Sequence, residues 1–292
     1  MATSGSPEAL EVLSSATGES YRWVGRLAGG ETGAHEVLGP NGRRLVVKWD
    51  TSPSSQAARR VGVGLTDRLR QEAGWPVPRQ RTVDAHGYLF VLQALVAGSP
   101  VSRLTHVLVN ELLVLHRQRL GLARADDSSW PESLIRTLVI GGDGYCLHEP
   151  LRGYDPRTKR LVEHVERIGR EVDPDDLGGG DLVHWDLHPG NLLELDGHLA
   201  AVVDNDFVTT GDAAFDLITL AVSSLDIPCE AGVRRRLFEL AVDPLDRSRR
   251  RAYLAHLLLR IIDWPIRRGR TEEVERWLGH ADRLLPAAEA DG

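Results

Sequence analysis

Apolar and polar residues alternate in short runs over the first hundred positions and then settle into a helical period. Residues 21–27 predict a strand, the glycine-containing stretch AGGETGA follows, and 35–38 reads as its return. Pro40-Asn41-Gly42 is a strong turn signal, and RRLVVKW at 43–49 predicts the next strand. Serines at 52–55 offer caps ahead of a helix over 56–73, which stops at Gly74. Val61, Leu65 and Leu69 give that helix an apolar stripe at four-residue spacing, while Gly62 and Gly64 weaken it. Strands over 80–84 and 88–96, joined at His86-Gly87, complete an antiparallel set of five.

From Ser102 onward the period is helical. Leu104, Val107, Leu108, Leu112 and Leu115 line one long helix, and further helices are predicted over 159–171, 232–242, 247–262 and 271–285. Between them lies one β-like patch, 181–183, 192–195 and 199–203, with turns at Pro189-Gly190 and Asp196-Gly197. The expected organisation is an N-terminal α+β lobe over 1–99, with 1–20 a polar tail, and a mainly helical lobe over 100–292. The last seven residues read as a second polar tail.

Composition narrows the function. A net charge of −7 argues against a general nucleic-acid or membrane-surface binder, which would need a basic face. No stretch of eighteen apolar residues suggests a membrane span, and the first twenty residues have neither the basic nor the apolar region of a signal peptide. Two lone cysteines, Cys146 and Cys229, suggest neither a disulfide framework nor zinc spacing, and a reducing cytoplasm is the expected setting. Of the 35 basic residues only Lys48 and Lys159 are lysines, which singles each of them out. Charge also divides along the chain: the first 99 residues sum to +2 and the remainder to −9. An acidic helical half suits a cationic small molecule.

The strongest chemical signal is LVHWDLHPGN at 182–191. Asp186 and Asn191 stand five apart across the turn at Pro189-Gly190, and thirteen residues later comes Asp204, closing the apolar run LAAVV. Two carboxylates and an amide oxygen on adjacent turns make a hard-oxygen site, which suits Mg²⁺ when phosphate oxygens fill its other positions. Asp186 lies ahead of the other two, where it could accept the proton of an incoming hydroxyl.

H-W-D-L-H-P-G-N followed by V-V-D-N-D-F resembles the catalytic and metal segments of the aminoglycoside phosphotransferase/choline kinase-like family, relatives of protein kinases. Gly211-Asp212 and Phe215-Asp216-Leu217 resemble the family's G-D-P-A-F-D-L stretch, with Ala213 in place of the usual proline. The resemblance implies a two-lobed protein-kinase-like α+β fold that uses ATP and Mg²⁺. It implies Asp186 as catalytic base, Asn191 and Asp204 as Mg²⁺ ligands, and Lys48 on the nucleotide phosphates. Gly29, Gly30 and Gly33 would lie in a loop over the phosphates, and backbone groups of Gln93, Ala94 and Leu95 would bond adenine. His184 and Asp216 read as structural, His188 stays unassigned, and Asp206 either supports the metal ligands or faces solvent. The family's lysine pairs with a helix glutamate, for which Glu72 is the candidate on the apolar side of its helix and Asp67 the alternative on the opposite side.

The function implied is transfer of the ATP γ-phosphoryl group to a hydroxyl of an antibiotic-like acceptor, an aminoglycoside first, as in antibiotic resistance. Choline, a macrolide, a peptide antibiotic or a sugar-like metabolite are alternative acceptors, and a nucleotide-binding protein with little transfer activity is the alternative class. Acidic residues at 143–176 (Asp143, Glu149, Asp173, Asp175, Asp176) are the candidates for acceptor contacts. A monomer or weak homodimer is expected.

Overall fold

The computed structural model describes residues 6–27, 33–124 and 130–289. The first half runs α1 (Ser6–Thr17), β1 (Arg22–Arg26), β2 (His35–Leu38), β3 (Arg44–Asp50), α2 (Pro53–Glu72), β4 (Gln80–Ala85), β5 (Tyr88–Ala94), β6 (Ser99–Pro100) and α3 (His106–Gln118). It continues through α4 (Trp130–Ile140), α5 (His148–Tyr154), α6 (Pro156–Glu171), β7 (Asp181–Val183), β8 (Leu192–Leu195), β9 (His198–Val202) and β10 (Thr209–Gly211). The chain closes with α7 (Ala214–Ser223), α8 (Val233–Ala241), α9 (Arg247–Arg267) and α10 (Thr271–Glu289). By its contacts it divides into two compact units: Met1–Leu120 with His184–Thr209 and Asp226–Val233, and Gly121–Val183 with Thr210–Leu225 and Arg234–Gly292.

In the first unit are the five antiparallel strands that the sequence pattern predicts, and they lie in the order β1-β2-β3-β5-β4. β3 is the central strand. Val46, Val47 and Lys48 are all buried, so both faces of the strand are covered there. Alternate residues face opposite ways, which puts Val47 on one face and Lys48 on the other. A smaller sheet, β6-β8-β9, carries the segment around Asn191.

The polar tail expected over 1–20 is corrected. Residues Ser6–Thr17 form α1, and its Ala9, Leu10 and Leu13 are buried with Tyr21, Val37, Val47, Phe90 and Leu92. Three apolar positions at helical spacing suffice once a sheet face is there to receive them. The tail expected at the other end is likewise helix as far as Glu289, with Leu285 and Ala288 buried.

α2 starts three residues before its expected position. Ser52 caps it by accepting the Ser55 N–H at 3.2 Å, and Pro53 occupies the first turn, where no amide donor is needed. The buried face consists of Arg59, Gly62, Leu65, Thr66 and Leu69, whereas Val61 is 63 % exposed. The stripe is therefore rotated by roughly 60° from the one drawn through Val61, Leu65 and Leu69. Gly62 is no weak point: a Cβ there would lie 3.2 Å from the carbonyl oxygen of Asp206, so glycine permits the close approach.

The second unit is mainly helical. α6, α8, α9 and α10 cover the helices expected there, while α4, α5 and α7 were not foreseen. Trp130, Phe215 and Tyr253 pack edge-on with ring centres 5.4–6.1 Å apart. Gly211 is small because any Cβ would strike the Trp130 ring. Asp212, in the segment resembling G-D-P-A-F-D-L, accepts the Tyr253 hydroxyl at 2.8 Å and the Ala214 N–H at 2.9 Å. Asp216 is fully buried on α7. No helix among the described residues is long and apolar enough to cross a membrane.

Candidate active site

Lys48, Asp186, Asn191 and Asp204 all belong to the first unit. The turn between β7 and β8 is built around His184, which is fully buried. Its Nδ1 accepts the Asp186 N–H at 3.3 Å and its Nε2 donates to the Val203 carbonyl at 3.1 Å. Val203 in turn donates its N–H to the Asn191 carbonyl at 2.9 Å, tying the loop to the strand end that carries Asp204. His184 is therefore structural, as its position suggested. Trp185 takes φ +74° while largely buried, a left-handed conformation that costs an L-residue about 1–3 kcal/mol.

Asn191 donates its side-chain amide to Asp186, at 2.9 Å to the backbone oxygen and 3.3 Å to Oδ2. His188 accepts the Gly190 N–H through Nδ1 at 3.0 Å, leaving Nε2 3.5 Å from Asp186 Oδ2. A Cβ at Gly190 would come within 2.8 Å of the His188 ring, so the turn requires glycine.

Lys48 donates to Asp204 Oδ1 and to Asp206 Oδ2, both at 2.6 Å. Arg59 Nη1 lies 2.6 Å from Asp206 Oδ1, and its Nε donates to Asp50. Burial alone would lower the Lys48 ammonium, but Asp206 and Asp204 outweigh it and hold the group above its ordinary value. Burial would likewise raise the Asp206 carboxyl, yet Lys48 and Arg59 keep it below the usual carboxylate range. Burial would lower the Arg59 guanidinium too, but Asp206 and Asp50 outweigh it and hold the group above its ordinary value.

These contacts correct the expected partner of Lys48. Glu72 is exposed and pairs with Arg68 at 3.2 Å, while Asp67 pairs with Arg70 at 3.1 Å. The rotated stripe carries Glu72 off the buried face, and Asp206 takes the lysine instead. Arg59 is thus the site residue that sequence reasoning missed, and Asp206, read as supporting the metal ligands or facing solvent, instead pairs with Lys48. The available signals were an arginine on the buried side of α2 and the D-x-D spacing of Asp204 and Asp206.

Gly29 and Gly30 lie outside the described residues, and Gly33 takes φ +71°. Gln93 and Ala94 pair with Val46 and Leu45 in the β3–β5 ladder, and the Leu95 N–H donates to the Arg44 carbonyl at 3.1 Å. That last donor, expected for a purine, is already engaged within the sheet. Of the acidic residues marked for an acceptor, Asp143 pairs with Arg136 at 3.2 Å, and Asp173 caps its own turn by accepting the Asp175 N–H.

Among the described residues no cluster of three or more His, Cys, Asp or Glu side chains could hold a metal. Asn191 and Asp204 nevertheless suit Mg²⁺. Asn191 turns its nitrogen to Asp186 and keeps Oδ1, while Asp204, with a side chain 27 % exposed, engages only Oδ1 with Lys48. Two hard oxygens fit an ion that takes the rest of its shell from phosphates and water.

Comparison with known proteins identifies the family and the fold. The profile of the phosphotransferase enzyme family matches residues 24–254. A thermostable variant of aminoglycoside phosphotransferase APH(4)-Ia, solved with ADP and hygromycin B, superposes with a TM-score of 0.61 at 16 % identity, over 98 % of this chain and 100 % of that one. LicA in complex with AMP gives 0.59 at 14 % identity, over 97 % and 98 %. Amicoumacin kinase hAmiN with AMP-PNP, Ca²⁺ and Ami gives 0.60 at 14 % identity, over 96 % and 94 %. A comparison with curated proteins finds no match.

Proposed function

Because the chain belongs to the phosphotransferase enzyme family, we propose that it transfers the γ-phosphoryl group of ATP to a hydroxyl of a cationic small molecule, an aminoglycoside first. The observation that carries this reading is the meeting of Lys48 with Asp204, beside a turn in which Asn191 holds Asp186. Structural neighbours solved with ADP or AMP-PNP support a nucleotide in this role.

In the proposed reaction the acceptor oxygen bonds to the γ-phosphorus as the bond to the β–γ bridging oxygen breaks, and ADP leaves. Asp186 orients the hydroxyl and takes its proton. Lys48 steadies the phosphates, and most of the acceleration comes from positioning and charge neutralisation. Mg²⁺ held by Asn191 and Asp204 would supply charge neutralisation at the phosphates. By role, residues 1–99 supply the nucleotide-binding part and 100–292 the catalytic and acceptor-binding part. The acceptor class rests on the −9 charge of the latter.

The reading of a nucleotide binder with little transfer activity draws on the uncertain helix carboxylate. Lys48 has its carboxylates in Asp204 and Asp206, which removes that reason. A thermal-shift titration with Mg²⁺-ATP, followed by ADP release against a panel of aminoglycosides, choline, macrolides and sugars, tests the proposal. Acceptor-dependent ADP release is expected. A folded protein that neither binds Mg²⁺-ATP nor releases ADP with any acceptor overturns it.

A further inference from the structure

We infer that Asp206, backed by Arg59, positions Lys48, in place of the helix glutamate that the family resemblance implies. The inference deepens the kinase reading and rests on it only for what Lys48 is positioned to hold. Both Asp206 oxygens are committed, Oδ2 to Lys48 and Oδ1 to Arg59, each at 2.6 Å, and the side chain is only 6 % exposed. Arg59 carries the chain of charges back to Asp50, which lies two residues from Lys48 on the same face of β3. The contacts therefore form a closed ring, Lys48–Asp206–Arg59–Asp50, that begins and ends on one strand.

The backbone holds that ring in place. The Asp206 carbonyl is 3.2 Å from where a Gly62 Cβ would sit, and Thr66 Oγ1 donates to the Asn205 carbonyl at 3.4 Å. Asp204 differs from Asp206 in every respect that matters here. It is more exposed, touches Lys48 through one oxygen, and among the described residues has no ion pair with an arginine. Asp204 can turn to another cation while Asp206 keeps the lysine, so the two carboxylates divide the work.

Only two lysines occur in the chain, so amine-selective acetylation read by peptide mass spectrometry reports Lys48 directly, with exposed Lys159 as internal reference. The experiment needs no nucleotide, so it stands even if the kinase reading fails. Asp206→Asn is expected to speed Lys48 acetylation about tenfold relative to Lys159, the effect of losing one charge-assisted hydrogen bond, and Asp204→Asn to speed it less. Unchanged Lys48 labelling in a folded Asp206→Asn protein overturns the inference. Should that variant not fold, Asp206→Ser takes its place, and Lys48 labelling unchanged in a folded Asp206→Ser protein overturns the inference equally. With an active acceptor in hand, Asp206→Asn should raise the KM for ATP several-fold while kcat changes less. Equal losses in both, with normal Lys48 labelling, would assign Asp206 a structural role alone.

Discussion

Asn191 donates its side-chain amide to Asp186 twice, to the main-chain oxygen at 2.9 Å and to the carboxylate at 3.3 Å. An amide at position 186 could present its own NH₂ to that donor and could no longer take a proton. Asp186→Asn should therefore lower phosphoryl transfer by roughly 10²–10⁴, with nucleotide affinity little altered. Steady-state rates and nucleotide titration check both halves, and turnover within a factor of about three of wild type removes Asp186 from the chemistry.

Asp204→Ala takes one hard oxygen from the candidate cation site but leaves Lys48 with Asp206. The Mg²⁺-dependent part of the stabilisation by ATP should shrink or vanish, while any Mg²⁺-independent part persists. Thermal shift with and without EDTA separates them. A Mg²⁺ response equal to wild type excludes Asp204 as ligand.

Two glycines of α2 should respond oppositely to alanine. Nothing lies within 4 Å of a Cβ at Gly64, so Gly64→Ala should stabilise the protein by about 0.5–1 kcal/mol through helix propensity alone. Gly62→Ala meets the Asp206 carbonyl and should gain less or lose stability. Denaturant midpoints for the pair decide, and an equal gain at both would show that α2 does not lean on that segment.

The local geometry of the candidate site was legible where it depends on short spacing. Asp186 to Asn191 spans one turn, so their meeting could be read from the chain, and the five-strand sheet followed from its turn residues. What escaped depends on partners far apart in sequence. Arg59 and Asp206 meet only because α2 rotates its stripe away from Val61, and β-branched Val61 looked like core until the helix had something to pack against. α1 escaped for a similar reason: its apolar residues are too few to signal a helix without the sheet beneath them. α7 is apolar almost all round, which hides the helical period.

If the acceptor is a polycation, its capture by the acidic portion of the chain should weaken as salt screens the charge, with a Debye length of about 10 Å at 0.1 M. The acceptor KM should climb between about 0.05 and 0.5 M salt, and the ATP dependence should differ. A neutral acceptor turned over efficiently, with a salt-indifferent KM, would defeat the aminoglycoside reading and leave phosphoryl transfer standing.

His256 is fully enclosed beside Phe215, and burial, helped by Arg260, pushes its imidazole down from 6.5 to about 3. The folded chain keeps this ring neutral in a range where the unfolded chain protonates it. Its contribution is complete above pH 6.5 and declines as pH falls toward 3, by roughly 1.4 kcal/mol per unit at most. Unfolding free energies at pH 7.5, 6 and 5 should fall less steeply for His256→Leu than for wild type, and parallel lines would refute the assignment.

The burial of Ala9, Leu10 and Leu13 against Phe90 and Leu92 bears on how the chain reaches its fold. This helix is made before partners that emerge about eighty residues later, so the completion of its docking is a late, high-contact-order event. Until β5 arrives, the helix has only Tyr21, Val37 and Val47 to cover its apolar side, and the sheet cannot seal that face without it. The docking of α1 is thus completed late, and a nascent chain halted before Leu92 would leave a hydrophobic surface open to other chains.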